Sequence, residues 1–82
     1  MYTLFYSDKA LKQLEKLEKE LQERMLASLE RCRILPYNYV KKLVENPYYR
    51  LRVGDYRIIL DIKNNQLQIL VIGLGHWKNI YD

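Results

Sequence analysis

The segment from Tyr48 to Leu60 constrains the fold more than any other part of the sequence, because it predicts a β-hairpin of fixed register. Gly54-Asp55 is a two-residue loop, and glycine at its first position suits the type II′ turn that matches the twist of the flanking strands. A loop of this length sets which residues face each other across the hairpin. The predicted pairs are Val53 with Tyr56, Arg52 with Arg57, Leu51 with Ile58 and Arg50 with Ile59.

The two faces of this hairpin differ in chemical character. Because side chains alternate along a strand, one face carries three arginines, which are Arg50, Arg52 and Arg57. The other face carries apolar side chains, which are Leu51, Val53, Tyr56, Ile58 and Leu60. Guanidinium groups on neighbouring strands repel each other unless an anion lies among them. We therefore expect the apolar face to pack in the core and the arginine face to hold phosphate.

The residues before the hairpin predict a strand followed by helical structure. Tyr2–Tyr6 is short and rich in aromatic residues, which favours a strand, and Ser7-Asp8 is typical of a helix start. Apolar residues then recur at three- and four-residue steps to about Leu35. One continuous helix would be ~40 Å long, whereas a break near Leu17-Glu18-Lys19 would fold two helices over one small sheet. The pattern leaves both open, since no glycine or proline marks the break.

The segment between the helical region and the hairpin is predicted to be a connector. Pro36 ends the helical region, residues 36–40 are typical of a loop, and Leu43 is a candidate core contact. Lys41-Lys42 is predicted to be a solvated pair, because long cationic side chains usually keep their charged ends in water. Pro47 keeps the preceding residue extended and leads the chain into the hairpin.

The last predicted strand runs from Leu67 to Leu74, after a turn at Asn64-Asn65. The pairs expected across this turn are Arg57 with Ile72, Ile59 with Leu70, and Asp61 with Gln68. The predicted order is β-α-α-β-β-β, which makes an α+β fold: a small, mainly antiparallel sheet with a helical pair on one face. The length of the chain fits a single domain over residues 1–82.

Composition narrows the class of partner and the location. The net charge is +4, and residues 36–82 hold most of the excess, with seven basic residues against four acidic ones. A basic surface favours a polyanionic partner, most often nucleic acid. The single cysteine, Cys32, lies in an apolar helical pattern and is predicted to be buried. One cysteine, no signal-like start and no apolar run of ~20 residues predict a cytoplasmic protein without a membrane span.

The residue types limit the candidate chemistry. No Cys/His cluster and no Walker-type glycine loop is present, so we expect neither a metal nor a cofactor. Arginines stabilise phosphate charge but cannot carry protons, because their pKa lies above ~12. His76, with an unperturbed pKa of ~6.5, and Tyr81 are the candidates for proton transfer. RNA supplies its own nucleophile, the 2′-hydroxyl, so positioning and charge stabilisation suffice to cleave it.

A purely structural interpretation of the same residues stays open at this point. His76 lies near the C-terminus, where a histidine is often only a surface residue. The arginines would be neutralised if they paired with Asp55, Asp61 or the terminal carboxylate, and Tyr81 would then be a packing residue. Residue spacing alone does not separate these interpretations.

Three parts of the sequence resemble the RelE/ParE superfamily of toxin–antitoxin toxins, and the RelE branch most. They are Y-R-L-R-V-G-D-Y-R at residues 49–57, V-I-G-L-G-H at residues 71–76, and Tyr81. The helical segment 8–35 and the connector fit as well, so the resemblance covers nearly the whole chain. It implies a RelE-like β-α-α-β-β-β fold with a helical hairpin, which favours two helices over one.

The resemblance also implies a function, that of a ribosome-dependent endoribonuclease that cuts mRNA in the ribosomal A site. The implied chemistry is attack by the 2′-hydroxyl, which gives a 2′,3′-cyclic phosphate without metal or cofactor. The implied partners are a cognate RelB-like antitoxin, the mRNA and the ribosome. The residues that match the family's catalytic positions are Arg50, Arg52, Arg57, His76 and Tyr81.

One position departs from the family pattern. After Gly75-His76 such toxins usually carry arginine, and this chain has Trp77. Losing one phosphate-stabilising donor lowers a rate by roughly 10²-fold. The alternatives to an active mRNA-cleaving enzyme are therefore a ParE-like gyrase-inhibiting toxin on the same fold, and a catalytically weakened module that binds antitoxin or RNA.

Overall fold

The computed structural model describes residues 1–80. The strands in this part of the chain are β1 (Thr3–Tyr6), β2 (Val40–Lys42), β3 (Tyr49–Val53), β4 (Tyr56–Lys63) and β5 (Gln68–His76). The helices are α1 (Asp8–Glu15), α2 (Lys19–Cys32) and the single-turn α3 (Trp77–Ile80). Short 3-10 turns at Pro36–Asn38 and Asn64–Gln66 precede β2 and β5.

The strands form one mixed sheet in the order β1-β5-β4-β3-β2. β1 runs parallel to β5, and the other neighbouring strands are antiparallel. The apolar side of α2 and one sheet face share a core that includes Met25, Leu29, Cys32, Leu51, Val53, Ile58 and Leu60. Burying a large apolar side chain of this kind contributes roughly 1.5–3 kcal/mol. The predicted α+β class, with a mainly antiparallel sheet and a helical pair on one face, is confirmed.

The β3–β4 hairpin has the register that the sequence predicts. The observed pairs are Val53 with Tyr56, Arg52 with Arg57, Leu51 with Ile58, and Arg50 with Ile59. Gly54 has a φ of +58°, and Asp55 does not have a positive φ, as a type II′ turn requires. The turn therefore places the arginines on one face and the buried aliphatic residues on the other.

α1 and α2 are separate helices, as the resemblance implies, and Gln22 explains the break. The amide Nε2 of Gln22, on α2, donates hydrogen bonds to the carbonyls of Leu14 (2.9 Å) and Leu17 (3.0 Å) at the end of α1. Carbonyls at a helix end otherwise lack a partner within the helix. The side chain of the next helix thus satisfies groups that a glycine-containing cap would satisfy elsewhere.

The predicted connector contains a strand, β2, that the sequence pattern did not predict. β2 pairs antiparallel with β3 and brings Lys41 opposite Arg50. Its partner lies in the hairpin that follows, so the contact that stabilises it is not local in sequence. The observed element order is therefore β-α-α-β-β-β-β-α, with β2 and α3 added to the predicted order.

The predicted register of β4 with β5 is wrong. Arg57 faces Gly75 rather than Ile72, and the pairs that replace the others are Ile59 with Gly73, Asp61 with Leu70, and Lys63 with Gln68. Two features cause the shift. The connection includes the 3-10 turn Asn64–Gln66, and a β-bulge beside Ile59 gives β5 one additional residue.

α1 stabilises the backbone of β5 around this bulge. The Oγ of Ser7 donates a hydrogen bond to the carbonyl of Ile72 (2.7 Å), and the N–H of Leu74 donates to the Oε1 of Gln13 (2.8 Å). The same Oγ accepts from the N–H of Ala10 (3.0 Å), so Ser7 caps α1 as predicted. With its edge covered by α1, β5 continues two residues beyond its predicted end.

Replacing Gln22 with alanine should lower the free energy of unfolding by about 1 kcal/mol, because the carbonyl of Leu17 loses its side-chain donor and that of Leu14 keeps only backbone donors. Glu23→Ala is the matched control, since Glu23 is exposed on α2 and alanine raises the helix propensity there as well. Urea denaturation measures both variants. Equal stability of the two would contradict the capping role of Gln22.

Candidate functional site

A cavity opens on the sheet face away from the helices. Its volume is about 120 Å³, and its lining residues are Tyr39, Lys41, Arg50, Arg52 and Arg57. Strand pairing brings the cations together, since Lys41 lies opposite Arg50 and Arg52 lies opposite Arg57. Within residues 1–80, four of the five residues that line it are cationic and none is acidic. We call this site the arginine cavity.

Arg57 is oriented by the hairpin turn. Its Nη1 donates hydrogen bonds to the carbonyls of Gly54 and Tyr56, both at 2.9 Å. Because a guanidinium has five N–H donors, the edge formed by Nε and Nη2 is left for another acceptor. That edge matches two oxygens of a phosphate or a carboxylate. A group that is already oriented loses less freedom on binding than a mobile side chain does.

The carboxylate of Asp61, on the same sheet face, does not neutralise the arginines. It pairs instead with the Nζ of Lys63, at 3.1 Å. Within residues 1–80, neither Arg52 nor Arg57 forms an ion pair with a carboxylate. In the described part of the chain, Arg52 and Arg57 therefore do not pair with Asp55 or Asp61. Their charges stay unbalanced in a way that favours an anionic ligand.

Tyr39 and Lys41 line the cavity but were not among the predicted site residues. The N–H of Tyr39 donates to the carbonyl of Pro36 (3.0 Å), and Tyr39 is 47% exposed. Lys41 belongs to the pair that the sequence predicted to be merely solvated. Lys41 lies on β2 opposite Arg50, whereas Tyr39 lies in the turn before β2, so strand alternation in the sequence would not have found both. An exposed ring beside cations suits a nucleotide, because the base can stack while the phosphate binds the cations.

His76 lies on the opposite sheet face from the arginine cavity. It pairs with Tyr56, which packs against the core, and the two rings meet edge to face with centroids 5.6 Å apart. Its Nδ1 accepts a hydrogen bond from the N–H of Lys78 (3.2 Å). Because Gly75 pairs with Arg57, alternation along β5 places His76 on the other face; the predicted strand ended at Leu74 and gave His76 no face.

The structure thus brings together three of the five predicted site residues, Arg50, Arg52 and Arg57. His76 is elsewhere, as described above, and Tyr81 lies outside the described residues. Their proposed roles in catalysis stay predictions. What the geometry establishes is a clustered, oriented set of cations on one face of the sheet.

The short helix α3 returns across the arginine side of the sheet. The N–H of Trp77 donates to the carbonyl of Asp55 (2.9 Å), which ties α3 to the hairpin turn. Gly75 faces Arg57, and a Cβ at Gly75 would lie 3.7 Å from the Cδ1 of Ile80. Ile80 therefore covers the sheet beside Arg57, and the absence of a side chain at Gly75 leaves room for it.

Other chemistries find little support in the structure. Cys32 is buried as predicted, and burial raises the pKa of its thiol to about 11, so the nucleophilic thiolate is scarce at neutral pH. Within residues 1–80, no group of three or more His, Cys, Asp or Glu residues is arranged to hold a metal ion. A membrane-crossing helix needs a longer apolar run than any helix in these residues contains.

Comparison with known proteins finds relatives over nearly the full chain. The family model described as the ParE toxin of type II toxin-antitoxin system, parDE, matches residues 4–81. A candidate RelE-like toxin protein of Escherichia coli is 29% identical over 77 residues, which cover 90% of this chain and 81% of that protein. The family match includes every residue that lines the arginine cavity.

Solved structures of similar fold come from toxin–antitoxin complexes. The RelBE2 complex of Mycobacterium tuberculosis contains a chain that matches with a TM-score of 0.85 at 19% identity, with 92% of this chain and 96% of that chain covered. The intact RelBE complex of Escherichia coli contains one that matches with a TM-score of 0.79 at 26% identity, with 93% and 96% covered. The first similarity supports the fold alone, and the second agrees with the family match.

Proposed function

Because the chain belongs to the ParE toxin family of type II toxin–antitoxin systems, within the RelE/ParE superfamily, we propose that it is a RelE-like toxin that cleaves mRNA on the ribosome. The observation that carries the proposal is the arginine cavity, whose lining among the described residues includes four cations and no carboxylate. A phosphodiester suits such a site, because it is anionic and presents its oxygens in pairs. Tyr39 adds an aromatic surface on which a neighbouring base can stack.

The proposed reaction uses the 2′-hydroxyl of the RNA as the nucleophile. Its oxygen bonds to phosphorus while the bond from phosphorus to the 5′-oxygen of the next nucleotide breaks, which leaves a 2′,3′-cyclic phosphate and a 5′-hydroxyl. Arg57 binds the two non-bridging oxygens through its Nε–Nη2 edge, and Arg50 and Arg52 stabilise the additional negative charge of the transition state. One preorganised donor of this kind typically contributes about 10²–10³ in rate.

Two proton transfers complete the reaction, since the 2′-hydroxyl loses a proton and the 5′-oxygen gains one. The arginines do not exchange protons near neutrality. Tyr81, which matches the family's C-terminal tyrosine, stays the proposed donor or positioning group, and a pKa of ~10 suits an acid better than a base. His76 lies on the other sheet face, so the proposal gives it no contact with the substrate.

Trp77 stands where the family usually has another phosphate-binding arginine. The neighbouring Lys78 does not supply the missing charge to the cavity: its Nζ lies 5.8 Å from the centroid of the Trp77 ring, and it is not a lining residue. We therefore expect a slower enzyme, by roughly 10²-fold, or in the alternative a module that binds RNA or antitoxin without cleaving. Lys41 returns one cation to the site from a different strand.

The proposed partners are a cognate RelB-like antitoxin, the ribosome and its mRNA, and the proposed location is the cytoplasm, where ribosomes act. Both solved relatives described above are complexes of a toxin with an antitoxin. The arginine face offers an antitoxin apolar surface as well as charge, since Phe5 lies on it and is 46% exposed. An antitoxin segment with acidic and apolar side chains on this face would block access of phosphate.

A ParE-like gyrase-inhibiting toxin is the second candidate, and the description of the matching family favours it. A supercoiling assay with purified gyrase separates the two functions. Inhibition of supercoiling without cleavage of mRNA would support the ParE-like function. Cleavage of ribosome-bound mRNA without an effect on supercoiling would support the RelE-like function.

Arg57→Ala should slow ribosome-dependent mRNA cleavage by about 10²–10³-fold, because it removes an oriented phosphate donor. Arg57→Lys keeps the charge but loses the paired donors, so most of the loss should persist. Single-turnover cleavage of mRNA on programmed ribosomes, mapped by primer extension, measures the rates. Lys12→Ala, which removes an exposed cation from α1, is the control. Cleavage at the parent rate by folded Arg57→Ala would refute the assignment.

His76→Gln should leave the cleavage rate close to that of the parent protein, because His76 lies on the sheet face opposite the arginine cavity. A general acid or base typically contributes about 10²–10⁴-fold. The same cleavage assay, repeated between about pH 5 and 8, tests this expectation over the range in which histidine titrates. A loss of cleavage rate of that size, together with a changed pH dependence, would show that His76 takes part in the reaction.

A further inference from the structure

A second cavity lies between α2 and the β3–β4 hairpin. Its volume is about 270 Å³. Its polar lining consists of Arg24, Ser28 and Arg31 from α2, together with Arg52 and Gly54 from the hairpin. We call this cavity the α2 groove. It is larger than the arginine cavity. It lies beside α2, whereas the arginine cavity lies on the sheet face away from the helices.

The α2 groove is strongly cationic. In the described part of the chain, three arginines line it and no carboxylate does. Within residues 1–80, none of Arg24, Arg31 and Arg52 forms an ion pair with an acidic side chain. The Nη2 of Arg31 donates a hydrogen bond to the Oγ of Ser28 (3.1 Å), which orients that guanidinium in the groove. Oriented guanidinium groups beside a hydroxyl are typical ligands of phosphate.

Gly54 allows one of these arginines to lie directly against the hairpin turn. A Cβ at this position would be 2.9 Å from the Nη2 of Arg24, closer than a side-chain carbon ordinarily approaches. The positive φ of Gly54 also favours glycine. The turn residue that sets the hairpin register therefore also makes room for a guanidinium at the edge of the groove.

The two cavities are joined by a shared residue. Arg52 lines both of them. β2 pairs with β3 only as far as Leu51, so β2 does not cover the outer edge of β3 at Arg52 and Val53. A chain that occupies both cavities would have to cross this edge of β3. The shared arginine makes the two sites one continuous cationic path.

We propose that the α2 groove binds a second phosphate of the same single-stranded RNA whose scissile phosphate occupies the arginine cavity. This inference rests on the proposed function. A nucleic-acid strand carries a phosphate at every nucleotide, so one strand meets successive cation sites along a path. The apolar lining of the groove is limited to Ala27 and Val53, which offers no pocket for the large apolar anchors of an antitoxin peptide.

The test compares a short and a long RNA on the full-length protein. Both are 2′-O-methylated to prevent cleavage, one a dinucleotide with a single phosphate and the other a hexanucleotide. The groove variant is Arg24→Gln/Arg31→Gln, and Lys12→Gln/Lys16→Gln removes the same charge from exposed positions outside both cavities. Fluorescence anisotropy gives the Kd at several salt concentrations, and thermal unfolding confirms that each variant is folded.

The groove variant should bind the hexanucleotide about tenfold more weakly than the parent and the dinucleotide with unchanged Kd. The slope of log K against log salt should fall by about 0.7 for each phosphate that the variant no longer binds. The control variant should bind both RNAs nearly as the parent does. Equal losses of affinity in the groove and control variants, or no loss in either, would overturn the inference.

Two further outcomes separate this inference from the proposed function and from a protein partner. If the parent cleaves mRNA on ribosomes but hexanucleotide binding is independent of Arg24 and Arg31, only the groove inference fails. If the parent does not cleave but binding depends on these arginines, the proposed function fails and the groove site stands. A groove variant that loses affinity for polyglutamate but not for the hexanucleotide would overturn the inference in favour of an acidic protein partner.

Discussion

Strand pairing holds several cations on one face of the sheet, where they repel each other. The rest of the fold has to offset that repulsion. The Gly54-Asp55 turn sets the hairpin register, and that register places Arg52 opposite Arg57. β2 adds Lys41 opposite Arg50. Like charges directly across strands are destabilising, so the core on the other face must offset them. An anion bound among them removes the repulsion. The arrangement of cations is therefore destabilising without a ligand and favourable when phosphate is bound.

One face of the sheet packs in the core and stabilises the fold, and the other face carries the candidate binding site. On one side the buried residues of α2 and the strands form the core, and α1 satisfies backbone groups of β5 around its bulge. On the other side the chain leaves the cations accessible, while α3 returns beside them through the hydrogen bond from Trp77 to Asp55. The charged face is therefore the one on which we propose that RNA and an antitoxin bind.

Features set by neighbouring residues were predictable from the sequence, and features set by distant contacts were not. The hairpin register follows from a two-residue loop, and Ser7 is a helix cap by its own chemistry. The helix break depends on Gln22 of the next helix, and β2 depends on pairing with a later strand. The bulge in β5 was not predictable either, and beyond it Gly75 pairs with Arg57, which places His76 on the opposite face.

Side-chain nitrogen NMR tests whether Arg50, Arg52 and Arg57 together hold one phosphate. Guanidinium Nε–H resonances are followed while the protein is titrated with a 2′-O-methylated dinucleotide. We expect these three arginines to shift together along one saturation curve, while Arg33, which pairs with Glu30 at 2.9 Å, does not shift. A titration that shifts other arginines and leaves Arg57 unchanged would contradict it.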